Sequence, residues 1–306
     1  MSKGKTKVLL FLQKIGDFKT FTIVFLICLI TGFLTAPITK LSMAVPIESP
    51  DLTTGEEHSF VYKNQDVLYY IPDALNTSDT KIFFVIHGYS RTYDSYFENW
   101  MSTNVAESEN VIIIAPLFDT TMFQHYQILN IWGMRADLRL IELGNQFINW
   151  LNLENENFYL FGFSGGGQFV HRFAMAHPDV IDRAVAGAPG WYTFPSEQFY
   201  PYGIQTTIIH PWNLHFYVEY TCASNLGLIV GEEDTERTSN LMQSPLADAQ
   251  GENRLIRARN WFEMMNSTAI SNGWDFNMEY QEVPDAGHSS SKMIPDSRNF
   301  LFGGGF

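Results

Sequence analysis

One ten-residue stretch constrains this chain more than any other: Phe158-Tyr159-Leu160-Phe161-Gly162-Phe163-Ser164-Gly165-Gly166-Gly167. An apolar run with strand character enters Gly-X-Ser-X-Gly. Gln168–Ala176 then carries Phe169, Val170 and Phe173 on one helical stripe, until His177-Pro178 stops it. Strand, tight turn and helix in that order form an elbow that lifts the serine out on a strained backbone. Glycine-sized neighbours are needed for strand and helix to pass so closely. A phosphate-cradling loop would place Lys-Ser or Lys-Thr after its last glycine, whereas Gln168-Phe169 follows here. The pattern points to an activated serine, Ser164.

The rest of the chain supplies a sheet to hold that elbow. Ser59–Lys63 and Val67–Ile71 flank Asn64-Gln65-Asp66 and read as an opening hairpin. Short continuous apolar runs recur at Ile82–Ile86, Val111–Ala115, Ala184–Ala188 and Leu226–Val230, as expected of strands buried on both faces. Helical patterns separate them, over Ala136–Asn152 and Arg254–Ile270, and Phe276–Val283 reads as the last strand. This alternation predicts an α/β fold with a mostly parallel, doubly wound sheet, residues 45–306 forming one domain. Two cysteines, Cys28 and Cys222, exclude a disulfide framework. No His-Glu-x-x-His or Cys-x-x-Cys spacing occurs, so neither metal nor cofactor is expected.

A serine hydroxyl becomes nucleophilic when a histidine takes its proton and an acid fixes the histidine's tautomer. On this architecture the acid follows the serine in the chain and the histidine comes last. The run Leu226–Val230 ends in Gly231-Glu232-Glu233-Asp234, and Phe276–Val283 ends in Pro284-Asp285-Ala286-Gly287-His288. His288 therefore takes the base position. Asp234, with the shorter side chain and four residues beyond the last apolar position, is favoured as the acid over Glu233 or Glu232. Two backbone N–H groups should receive the oxyanion, from Gly165 after the nucleophile and from Tyr89 in the loop Ile86-His87-Gly88-Tyr89-Ser90-Arg91. His87 is read as a loop-fixing residue, and His171 and His177 as structural.

Between the sixth and seventh strands, Trp191 to Tyr220 holds ten aromatic residues in thirty, too long for an ordinary connection of about 2–6 residues. It reads either as a packed excursion or as a short cap whose Trp191 and Tyr192 wall a substrate pocket.

Residues 1–44 differ from the body. Six lysines face one acid, Asp17, and an apolar run from Phe21 to Ala36 precedes Pro37. The segment reads as a signal peptide cleaved after Ala44, or as an uncleaved N-terminal membrane anchor, which puts the body outside the cytoplasm. The remainder carries 13 Lys and Arg against 32 Asp and Glu, a net of −19. A body that acidic repels phosphate backbones, so no nucleic-acid partner is expected.

On Ser164, Asp234, His288 and the His87-Gly88-Tyr89 loop, residues 58–300 resemble the α/β-hydrolase superfamily. Three segments narrow the likeness: His87-Gly88-Tyr89-Ser90-Arg91-Thr92, Gly162–Arg172 and Ala188-Pro189-Gly190-Trp191-Tyr192. They are similar to extracellular esterases grouped with polyhydroxybutyrate depolymerases and feruloyl esterases. The resemblance implies an acyl-enzyme mechanism on a small or oligomeric ester. Tyr89 stands where depolymerase-like members often carry Cys, and no separate polymer-binding domain is expected. A peptidase or amidase on the same fold, and a non-catalytic binding protein with a hydrolase shell, are the competing readings.

Overall fold

The apolar runs pair into one sheet. Its first six strands are β1 (Glu57–Tyr62), β2 (Gln65–Tyr70), β3 (Lys81–Ile86), β4 (Val111–Pro116), β5 (Phe158–Phe163) and β6 (Ile181–Gly187). Strands β7 (Phe194–Phe199) and β8 (Gly203–Gln205) pair apart as a two-stranded ribbon, and β9 (Leu226–Gly231) and β10 (Glu279–Val283) rejoin the main sheet. The computed structural model describes residues 48–129, 134–206 and 214–306. The segment 1–44, His210 and Trp212 lie outside these. Ser49–Phe306 is one compact unit.

The strand order is β1-β2-β4-β3-β5-β6-β9-β10. The β1–β2 and β2–β4 pairs are antiparallel, and every other neighbouring pair is parallel. Strands β4, β5 and β9 are buried at every position, which is why their sequences show no alternation. Parallel pairing brings the carboxyl ends of β3, β5, β6, β9 and β10 to one edge, where crevices of open α/β sheets receive ligands.

Six longer helices cover the sheet: α1 (Tyr93–Met101), α2 (Ala136–Leu151), α3 (Gly165–Ala176), α4 (Val218–Ala223), α5 (Arg254–Asn272) and α6 (Ser290–Arg298). Helix α1 buries Phe97 and Trp100, the Trp100 ring lying edge-on to Phe83 and Phe161. Arg298 of α6 reaches the Thr103 carbonyl and Glu109 behind α1, tying these two helices to one face. Of the apolar stripe Leu140, Leu143, Phe147, Ile148 and Leu151, helix α2 buries the first three, with Phe147 against Tyr69, and leaves Ile148 and Leu151 half-buried. Helix α3 packs on β5 and β6 and continues through α4 to α5. Among the described residues no helix is long and apolar enough to cross a membrane.

Three boundaries depart from the sequence reading by three residues. Strand β6 begins at Ile181 rather than Ala184, and α3 at Gly165 rather than Gln168. The early start of α3 follows from the elbow, because the Ser164 carbonyl already accepts the first helical bond from Gln168 N–H at 2.9 Å. Strand β10 begins at Glu279 rather than Phe276. The Phe276 ring packs on Phe262, and Asn277 N–H donates to the Cys222 carbonyl, so this stretch is held by α4 and α5 before the ladder starts.

Candidate active site

Ser164 sits where β5 ends and α3 begins, with φ +58° and ψ −111°. A non-glycine residue in that region is strained and persists only where surroundings impose it. Here Ser164 N–H donates to the Gly187 carbonyl at 2.8 Å. A Cβ at Gly166 would come within 2.2 Å of the Ile86 carbonyl oxygen, so only glycine lets the helix descend beside β3.

The loop ends of β9 and β10 deliver the other two groups. Ser164 Oγ–H donates to His288 Nε2 at 3.0 Å, and His288 Nδ1–H donates to Asp234 Oδ2 at 2.7 Å. Asp234 is buried, whereas Glu232 and Glu233 beside it point to solvent. Main-chain bonds lock the two loops together, from Glu232 N–H to the Val283 carbonyl and from Glu233 N–H to the Ala286 carbonyl. The Phe163 ring supports the imidazole face at a centroid distance of 4.6 Å. A cavity of about 400 Å³ opens against this group, lined by Glu233, Asp234, Glu236, Thr238, Asn240, Arg254, Gly287 and His288.

The β3 loop reaches the same place. A Cβ built on Gly165 would lie 2.9 Å from Tyr89 N, so the Tyr89 and Gly165 backbones face one another beside the serine. The first N–H groups of a helix have no intrahelical acceptor, which leaves Gly165 N–H available to an anion. Arg91 holds the loop, donating from Nε to the Phe118 carbonyl and from Nη2 to the Gln124 carbonyl. The Tyr89 side chain is 67% exposed.

His87 is wholly engaged. Its Nδ1–H donates to the Gly88 carbonyl at 2.8 Å while Nε2 accepts Phe118 N–H at 2.9 Å. Burial pushes its pKa down to about 4. His171 accepts Thr193 N–H, and His177 bonds Asp137 at 2.8 Å. Both belong to the scaffold.

The expected pocket wall takes a different form. Tyr192 is fully buried, stacked on Trp261 with ring centroids 5.2 Å apart, and its N–H donates to Gln250 Oε1. Trp191 is 6% exposed and lies over the Arg172 guanidinium at 4.2 Å and against Tyr202. These rings fill space between α3 and α5 because large apolar area is better buried than exposed, and neither lines the cavity beside His288. Sequence reasoning also passed over Arg254, whose Nη1 donates to Asp234 Oδ1 at 3.2 Å.

The strand order and the serine elbow define the α/β-hydrolase fold. No family model and no curated protein matches the chain. Among solved structures it is similar to poly(aspartic acid) hydrolase-1 from Sphingomonas sp. KT-1, with 26% identity and a TM-score of 0.72 over 81% of this chain and 99% of that one. It is similar also to LpqC, a poly(3-hydroxybutyrate) depolymerase from Bordetella parapertussis, with 23% identity and a TM-score of 0.71 over 82% of this chain and 91% of that one. A fluorophosphonate-binding serine hydrolase of Staphylococcus aureus shares the fold at 12% identity and a TM-score of 0.51, over 80% of this chain and 96% of that one. By fold the chain is an α/β-hydrolase, and its structural likenesses fall in the esterase-like group.

Proposed function

We propose that the protein is a serine hydrolase that cleaves a carboxylic ester through an acyl-enzyme. The observation that carries this reading is the continuous hydrogen-bonded relay from Ser164 through His288 to buried Asp234. Ser164 Oγ attacks the ester carbonyl as His288 Nε2 takes the hydroxyl proton. Asp234 holds the ring with Nδ1 protonated and stabilises the imidazolium that forms. The Tyr89 and Gly165 N–H groups receive the developing oxyanion. His288 then returns the proton to the leaving alkoxide, and water repeats the sequence to release the acid and free Ser164.

The likeness to a poly(aspartic acid) hydrolase and a poly(3-hydroxybutyrate) depolymerase supports hydrolysis as the chemistry. A polyanion such as poly(aspartic acid) would be repelled by a body with a net charge of −19, so a neutral small or oligomeric ester is the substrate class. The lysine-rich, apolar first 44 residues support an extracytoplasmic location.

The test is p-nitrophenyl ester hydrolysis with a serine-reactive phosphonate as titrant. Ser164→Ala should leave a folded protein that takes no phosphonate, with turnover lower by about 10⁴-fold or more. A folded mutant retaining a tenth of wild-type turnover would refute the assignment.

A further inference from the structure

Asp234 presents two oxygens, and the relay uses one. The other, Oδ1, accepts Nη1–H of Arg254 at 3.2 Å, and both residues are buried to 2% residual exposure. Arg254 is the first residue of α5, directly after the N-cap Asn253, whose side chain accepts Ile256 N–H. The positive end of a helix dipole is an unfavourable place for a cation. A second guanidinium, Arg257, follows one turn later. A buried arginine at that position is retained only if a nearby anion offsets both the dipole and the lost hydration. Asp234 is that anion, and the same helix end also grips its main chain, through Leu255 N–H to the Asp234 carbonyl at 3.4 Å.

We propose that Arg254 is a positioning residue for the relay: by occupying Oδ1 it leaves Oδ2 as the one oxygen facing His288 and stops the carboxylate rotating away from the imidazole. The inference rests on the hydrolase reading above. It makes α5, which contributes no group to the relay itself, the element that sets the acid's orientation. Arg254 bonds Asp234 and not Ser164, and at 2% exposure it shows the adjoining cavity almost no surface, so its loss should act on turnover and leave substrate affinity alone.

The experiment compares Arg254→Gln, which removes the charge, with Arg254→Lys, which keeps it on a shorter side chain with a single point of donation. Active sites are counted with the phosphonate, and kcat and KM are measured per titrated site. A misplacement of about 1 Å costs on the order of a hundredfold, so Arg254→Gln should lower kcat by between about tenfold and a hundredfold, with KM unchanged. Arg254→Lys should show a smaller loss of the same kind. In both, the low-field proton resonance of the His288–Asp234 hydrogen bond in the resting enzyme should be displaced. A purely structural arginine would lower the yield of titratable sites and leave kcat per site and the resonance as in wild type. That result in either variant overturns the proposal, as does a fall in kcat with an unmoved resonance. Should Arg254→Gln not fold, Arg254→Lys decides by the same criteria. A wild-type protein that takes no phosphonate and cleaves no ester would instead overturn the hydrolase reading. The resonance needs no substrate and would still decide on Arg254.

Discussion

His87 stands beside the oxyanion loop, yet its bonds bar it from acting as a base. Phe118 N–H donates into Nε2, so the ring must be neutral with its proton on Nδ1, which the Gly88 carbonyl accepts. Protonating Nε2 would set two donors against each other in a buried site. Burial accordingly takes the folded-state pKa to about 4, from an ordinary value near 6.5. His171 has the same construction, with Gly167 and Thr193 as main-chain partners, and burial holds it well below its usual range. The sign follows from proton counts. Below about pH 6.5 the unfolded chain binds protons that folded His87 refuses, so stability is full above that pH and is lost down to about pH 4. His87 alone accounts for about 3 kcal/mol of that loss. Urea unfolding at pH 7 and pH 4.5 should show the drop, and His87→Gln, though less stable at pH 7, should show a shallower dependence on pH. An equal slope in both proteins would remove His87 as its source.

At the scale of elements, two loops compete for the role of specificity wall. The segment after β6 turns its first rings inward, Tyr192 onto Trp261 and Trp191 onto Arg172, whereas the loop after β3 carries the Tyr89 ring outward beside the serine. Tyr89→Ala keeps the backbone N–H and removes an exposed ring. It should therefore change the kcat/KM ratio between short and bulky esters by about 1–3 kcal/mol while the melting temperature stays close to wild type. Trp191→Ala should do the reverse, costing about 3–5 kcal/mol of stability with the ester ratio preserved. An ester series and thermal melts on both variants separate the two loops, and a selectivity change in folded Trp191→Ala alone would restore the wall to the β6 segment. The same contrast explains what the sequence made legible. Strand ends are marked by where an apolar run stops, so Ser164, Asp234 and His288 could be placed at one sheet edge, and the shorter side chain separated Asp234 from its two exposed neighbours. Whether an aromatic ring faces a pocket or the core depends on partners distant in sequence, such as Trp261 and Arg172, which periodicity does not reveal. Arg254 did leave a local trace, a basic residue at a helix start where the dipole disfavours one, but its meaning needs the acid twenty residues earlier to be in view.

At the scale of the whole molecule, net charge bears on what can reach the site. The body carries −19, and the cavity against His288 is lined by the carboxylates of Glu233, Asp234 and Glu236 with the one guanidinium of Arg254, so the global field and the local lining have the same sign. Exposed charges act over about a Debye length, roughly 10 Å at 0.1 M salt and 3 Å at 1 M, so this repulsion is tunable where the chemistry is not. A pair of esters that differ in one carboxylate isolates the effect. For the anionic member kcat/KM should rise by at least about threefold as salt is raised from low concentration to about 0.5 M, and for the neutral member it should stay nearly flat. Glu233→Gln with Glu236→Gln should raise the low-salt value for the anionic ester and reduce its salt response, because these two exposed carboxylates line the cavity beside His288. Identical salt profiles for the two esters would mean that the field of the body does not extend into the site, and the proposed preference for neutral substrates would lose its electrostatic basis.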